Sequence, residues 1–188
     1  HLDDAFAFQE KITHVCARHE AAAVYMAEAA AKLSGKIGVV ISTTGPGGTN
    51  AISGIVEAWV DSTPVLVISG QVNTKQISAG IRSFGVQGFN IIENVKHITK
   101  YAVQVTDPQS VKYHLEKAIH LANEGRPGPV WLDIPFDVQA SQIDTSILKP
   151  NTVRRSVSQV IKQEEIDKAF HLLSHSTKPL VVFGQGIR

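Results

Sequence analysis

The sequence predicts an α/β fold: a parallel sheet with helices on both faces. Three observations predict it. The runs "IGVVIS" (37–42), "PVLVISG" (64–70) and "GPVWLDIP" (128–135) are continuously apolar and rich in β-branched residues, as in strands covered on both faces. Longer segments of helical composition, "HEAAAVYMAEAAAKLSG" (19–35) and "TNAISGIVEAWVDS" (49–62), lie among them. The strict alternation of the two kinds calls for parallel strands joined by helical crossovers. Ligands in such sheets sit at the carboxyl ends of the strands. That places 42–50 and 70–87 on one rim.

Each element follows in order. "ITHVCA" (12–17) reads as a strand, with Cys16 as one of its buried residues. The Ala-rich helix 19–35 is closed by Gly35. Strand 37–42 runs into a glycine loop, followed by helix 49–62 and strand 64–70. Residues 71–90 lack periodicity and read as a long loop, a kind of segment that often carries function. "IIENVKHI" (91–98) is a short helix and "YAVQVT" (101–106) alternates as a strand. Asp107 and Pro108 open a helix through about Asn123, with proline in its first turn. The strand at 128–135 completes a first domain, 1–138. The polar stretch 139–160 reads as a linker. Helix 164–176 and a strand over 179–188, running into a glycine turn, begin a second domain, 161–188.

Bulk properties bound the function. The chain has 188 residues and begins with His1 rather than Met, so it is expected to be a piece of a longer protein, truncated at the start of its first domain. A hydrophobic content of 43% supports a sizeable core. The formal net charge of +1 gives no surplus that points to nucleic acid or membrane. No run approaches the roughly 18 apolar residues of a membrane span. The single cysteine excludes an internal disulfide and fits a reducing compartment, hence a cytoplasmic location. The eight histidines show no metal-ligand spacing, so no metal site is expected within the chain. His114 and His120 are expected on a helix surface, and Trp59 and Met26 in the core or a subunit contact.

The loop in "ISTTGPGGTNAISG" (41–54) concentrates four glycines and a proline. It has no lysine, so it is not a Walker phosphate loop. Gly45, Gly47 and Gly48 also lack the spacing of a dinucleotide fingerprint. Pro46 removes a backbone donor that a phosphate cradle would want, and offers a flat apolar surface. Two readings fit: a seat for a planar, mostly uncharged ring, or a tight strand-to-helix turn with Asn50 near the helix start. Glu20 also admits two readings. A carboxylate beside Ala21–Ala23 is costly to desolvate unless something uses it. Alternatively it complements the positive end of a helix.

With these residues in view, "RHEAAAVYMAEAAAKLSGKIGVVISTTGPGGTNAISGIVEAWVDSTPVLVISGQV" (18–72) resembles the pyrimidine-binding domain of thiamine diphosphate enzymes. The acetolactate synthase (acetohydroxyacid synthase) large-subunit group is the nearest likeness. "ITKYAVQV" (98–105), "GRPGPVWLDIPFDVQ" (125–139) and "KPLVVFGQGIR" (178–188) extend it over nearly the whole chain. The resemblance implies that Glu20 hydrogen-bonds N1′ of the cofactor's aminopyrimidine. It favours the imino tautomer and so promotes loss of the C2 proton before attack on a 2-keto acid. The protein supplies tautomer control and a dry pocket, and burial is expected to dominate the helix terminus and raise the Glu20 pKa. Gly45, Pro46 and Gly47 would pack against the pyrimidine, with Thr44 and Asn50 lining the loop. Gln87 falls where the family has a glutamine facing the reaction centre. Arg126 corresponds to a residue that touches FAD in some members, and Gly184 and Gly186 to the approach of a central domain to FAD, so FAD is possible. Magnesium and the diphosphate belong to a C-terminal domain outside this chain. The family assembles as a homodimer or homotetramer with its active site at the subunit interface.

The resemblance implies a carboligase or decarboxylase of 2-keto acids, with acetolactate formation from pyruvate, in branched-chain amino acid biosynthesis, as the leading reading. "SFGVQGFN" (83–90) departs from the "AFQE" wording usual in the group, with Val86 for phenylalanine and Gly88 for the acid, and "FGQG" (183–186) replaces a triple glycine. The acceptor therefore stays open. A related thiamine diphosphate enzyme of surface-sugar or other biosynthesis is one alternative. A non-catalytic nucleotide-binding module is another, and a structural fragment inactive by itself a third.

Overall fold

In a computed structural model that describes residues 2–77, 84–152 and 161–184, the predicted apolar runs form one four-stranded sheet. Its strands are β1 (Gly38–Ser42), β2 (Val65–Gln71), β3 (Tyr101–Gln104) and β4 (Val130–Pro135). Their order is β1-β2-β4-β3 and every pairing is parallel, with Val40 opposite Val67, Val67 opposite Trp131, and Val103 opposite Leu132. Seven α-helices accompany them among the described residues: α1 (Leu2–Phe8), α2 (Glu20–Ser34), α3 (Pro46–Val60), α4 (Ile91–Val95), α5 (Val111–Asn123), α6 (Phe136–Gln139) and α7 (Gln163–Ser174).

Side-chain alternation along the central strands divides the core in two. Val40, Val65, Val67 and Trp131 face α2, α3 and α4, packing on Val24, Ala27, Ala51, Ile55, Ala58, Ile91 and Val95. Leu66, Val130, Leu132 and Ile134 face the other way, onto Ala118 and Ala122 of α5 and Val138 of α6. Helices on both faces of a parallel sheet are therefore found. β1 departs from the expected double cover. It is an edge strand, α5 packs on β2, β3 and β4, and Val39 stays 51% exposed.

Other expectations need correction. Residues 12–17 form no strand; Cys16 is exposed, and so is Val15. That run centres on Thr13 and His14 and meets no sheet edge, so its backbone has no ladder to join. Neither α1 nor α6 was foreseen. α3 starts at Pro46 rather than 49, using proline at the helix N-terminus, where its missing N–H costs nothing. Loop 71–90 contains two 3-10 turns, Thr74–Gln76 and Gly85–Gly88, while residues 78–83 lie outside the described set. α5 is preceded by a 3-10 turn, Pro108–Ser110, whose Gln109 amide donates to Asp107 Oδ1 at 3.0 Å. His114 and His120 are half-buried rather than on the surface: His114 Nδ1 lies 2.6 Å from the Tyr101 hydroxyl, and His120 Nε2 lies 3.2 Å from Glu124 Oε2. Trp59 and Met26 are both exposed, so neither is a core residue.

The first unit runs through Val153. Part of the stretch read as a linker lies on it: Leu148 is buried, and the Asn151 amide donates to Glu116 Oε2 at 2.8 Å. The second unit, Arg154–Arg188, contains α7. Residues 175–184 form no strand there, since a single helix offers no strand to pair with, and 185–188, including Gly186, lie outside the described residues.

α2 and α3 run side by side in the same direction, joined at both ends. Near their C-termini the Lys32 ammonium lies 2.9 Å from Glu28 and 2.6 Å from Asp61. Thr63 adds a hydroxyl bond to Glu28, whose side chain is buried. Midway, the helices touch at Gly54. A Cβ there would lie 2.6 Å from Val24 Cβ and 3.3 Å from the Ala21 carbonyl oxygen. Replacing Gly54 by Ala gains about 1 kcal/mol of helix propensity but overpacks the crossing, which costs about 1–3 kcal/mol. Gly54→Ala is therefore expected to lower stability in urea denaturation; a net gain would contradict the close crossing.

Candidate functional site

The parallel course of α2 and α3 brings their N-termini together at the carboxyl ends of β1 and β2. Glu20 is the first residue of α2, and His19 precedes it as the cap, its Nδ1 accepting from the Ala21 amide at 3.2 Å. Asn50, in the second turn of α3, donates from Nδ2 to Glu20 Oε2 at 3.0 Å. The other oxygen, Oε1, faces Gly47, 3.4 Å from where a Cβ would stand. The carboxylate thus lies close to Gly47, whose missing side chain leaves room that Thr43 Cγ2 also approaches, 2.8 Å from where a Cβ would stand. Pro46 remains exposed beside it.

Gly45 makes the turn into α3 with φ of 63°, in the region that side chains disfavour. A Cβ on it would sit 2.3 Å from the Val86 carbonyl oxygen and 3.2 Å from Gln87 Cα. The turn and the segment carrying Gln87 therefore lie backbone to backbone. The Thr44 hydroxyl donates to the Gln87 carbonyl at 2.6 Å. Glu20, Thr44, Gly45, Pro46, Gly47, Asn50 and Gln87 thus come together on the predicted rim. Arg126 does not join them. Its Nε donates to Ser62 Oγ at 2.6 Å and its Nη2 to the Val60 carbonyl at 3.3 Å, at the far end of α3, about 20 Å along the helix.

The charge on Glu20 corrects an expectation. Its pKa is held below the usual carboxylate range rather than raised. The Asn50 amide is the main cause and the residue's own backbone N–H the second, and both outweigh a weak desolvation. The side chain is partly exposed along this chain, so burial does not dominate.

Sequence reasoning missed a polar network behind this rim. Asp133 of β4 is fully buried, and its carboxylate is held by three neutral donors: Ser69 Oγ at 2.6 Å, Gln104 Nε2 at 2.9 Å and Gln71 Nε2 at 3.1 Å. Trp131 Nε1 donates to Ser69 Oγ at 2.8 Å. Burial pushes the Asp133 pKa up, and the hydrogen bonds partly offset it. The signal was present in the polar residues of otherwise apolar strands: Ser69, Gln71 and Asp133 share the parity of Val65, Val67 and Trp131, and so share their face.

The hydrogen bond from Asn50 should be visible in the titration of Glu20. Asn50→Ala removes the main cause of the depressed value, so carbon-detected NMR titration should find the Glu20 midpoint moved up toward the ordinary range. Because a depressed folded-state pKa stabilises above the unfolded value, wild type should also lose more stability than the variant as pH falls through that range. An unmoved midpoint would break the pairing.

Comparison with known proteins bears on this geometry. The model for the thiamine pyrophosphate enzyme N-terminal TPP binding domain matches residues 1–90. The acetolactate synthase large subunit of Lactococcus lactis is 40% identical over 191 residues, 99% of this chain and 32% of that protein. Acetolactate synthase isozyme 3 large subunit of Escherichia coli is 38% identical over 178 residues, 93% of this chain and 30% of that protein. The chloroplastic acetolactate synthase of Arabidopsis thaliana is 35% identical over 188 residues, covering 98% and 28%. The chain thus spans about a third of the length of the curated relatives it matches. Residues 1–90 match the thiamine pyrophosphate enzyme N-terminal TPP binding domain, and nearly the whole chain is similar to part of the acetolactate synthase large subunits.

Proposed function

We propose that this chain supplies the pyrimidine-binding half of a thiamine diphosphate site in an acetolactate synthase-like carboligase acting on 2-keto acids. The carrying observation is the partly exposed Glu20 carboxylate, braced by Asn50 and close to Gly47 in a turn whose Pro46 is exposed. A flat heterocycle fits such a turn, and the absence of lysine from 43–50 suits a ring better than a phosphate. Thiamine diphosphate, when bound, supplies the carbon nucleophile and electron sink for decarboxylating and condensing a 2-keto acid. Glu20, ionised at neutral pH, would accept a hydrogen bond from a ring nitrogen and hold or return its proton. Asn50 fixes the carboxylate's direction. Thr44 and Gly45 set the distance to the segment carrying Gln87, which would face the substrate.

Magnesium and the diphosphate would be held by a domain beyond this chain. Among the described residues, the carboxylates of Glu28, Glu57 and Asp61 lie within 4.8 Å of one another toward the other end of α2 and α3, where Lys32 bridges Glu28 and Asp61. FAD is a second cofactor that the resemblance allows; Arg126, the residue placed toward it, is exposed and donates to Ser62 and Val60. A dimer or tetramer with its active site between subunits fits the exposed Tyr25, Met26, Val56, Trp59 and Val60 on α2 and α3. Pyruvate is the proposed substrate, branched-chain amino acid biosynthesis the proposed role, and the cytoplasm the proposed location, which agrees with a free, exposed Cys16.

The full-length protein, given pyruvate, thiamine diphosphate and magnesium, should release CO2 and form acetolactate. Glu20→Gln should slow hydrogen exchange at C2 of the bound cofactor by about 10²-fold or more. Exchange at the wild-type rate would remove Glu20 from the chemistry. Binding of ADP or NAD in preference to thiamine diphosphate would favour a nucleotide-binding module instead.

A further inference from the structure

Behind the glycine turn, Gln71 occupies a junction. Its Nε2 donates both to the buried Asp133 carboxylate, at 3.1 Å, and to the Phe89 carbonyl, at 3.0 Å. Its Oε1 accepts from the Val72 amide at 2.9 Å and lies 3.2 Å from the Thr44 hydroxyl, which donates to the Gln87 carbonyl at 2.6 Å. The main chain on both sides of Gly88 is therefore held, Phe89 by the buried amide directly and Gln87 by the Thr44 hydroxyl packed beside that amide. Asp133 fixes which way that amide faces. It accepts from Ser69, Gln71 and Gln104 at once, so Gln71 must present Nε2 inward and Oε1 toward Thr44. The opposite end of the same long loop is tied separately. Thr74 donates to Asp137 from its amide at 2.9 Å and from its hydroxyl at 2.5 Å.

We propose that Gln71, oriented by Asp133, is a positioning residue that holds the loop carrying Gln87 against the Thr44–Gly45 turn, and so sets where that loop meets the substrate. The inference rests on the functional reading above for its catalytic consequence, though the loop contact is independent of it. Gln71 reaches the site through the backbone of Phe89, two residues from Gln87, and not through Glu20. It should therefore govern substrate turnover while leaving activation of the cofactor untouched.

The test uses the full-length protein. In Gln71→Met, amide hydrogen exchange at 84–90 should quicken by about tenfold or more, as local tethers are lost. Thiamine diphosphate affinity and C2 exchange should stay within about threefold of wild type. kcat/KM for the 2-keto acid should fall by about tenfold, the scale of an unsatisfied buried partner. In the Gln87→Ala background the same substitution should cost less than about threefold, because both act through one loop. Thr44→Val, which removes only a half-buried hydroxyl, should quicken exchange at 84–90 and show the same non-additivity with Gln87→Ala. It serves as the test should Gln71→Met not fold. Unchanged exchange at 84–90, or a full additive loss beside Gln87→Ala, would overturn the inference. A wild-type protein without thiamine diphosphate-dependent turnover would overturn the functional reading instead, and the exchange measurement would still decide the loop contact.

Discussion

The close crossing of α2 over α3 is the constraint on which the rest depends. Gly54 lets the helices meet where any side chain would strike Val24. Lys32, between Glu28 and Asp61, ties their far ends. Two helices held in the same direction at that separation must bring their N-termini together, and Glu20 and Asn50 stand there. Their 3.0 Å contact is therefore a consequence of helix packing as much as of local chemistry. A buried crossing is also stiffer than a loop, so it gives the Glu20 carboxylate a fixed direction.

A second layer lies beneath. The sheet face under α2, α3 and α4 is apolar at Val65, Val67 and Trp131 and turns polar toward the carboxyl ends of its strands, at Ser69, Gln71, Gln104 and Asp133. A fully buried carboxylate without a counter-charge is costly. Three donors offset part of that cost, while burial pushes the Asp133 pKa up. Such a group is poor value as a stabiliser. Its position, one amide away from the backbone of the Gln87 segment, gives it a reason to be there.

Most of the fold could be read from periodicity because the strands are short apolar runs bounded by glycine and proline. β2 and β4 followed from that signal alone. What failed has common causes. Residues 12–17 and 179–184 carry strand-like composition without a neighbouring strand, and composition cannot report a missing partner. Val39 escaped because an edge strand reads like a central one. Of the site, residue type singled out Glu20 and the glycine turn but left two readings for each, and the family resemblance chose between them. The sign of the Glu20 shift was not, since it depends on Asn50, thirty residues away in sequence and adjacent only after the helices cross. The Asp133 network was hidden for a similar reason: its members sit on three strands, and only the sheet order β2-β4-β3 brings them together.

The central claim is that the Glu20 carboxylate serves a ring nitrogen of the cofactor. The most direct measurement is a crystal structure of the full-length protein with thiamine diphosphate bound. A Glu20 oxygen is expected about 2.6–3.0 Å from N1′ of the aminopyrimidine, with the ring lying over Gly45–Gly47. A pyrimidine seated elsewhere, with the Glu20 carboxylate turned to solvent, would contradict it.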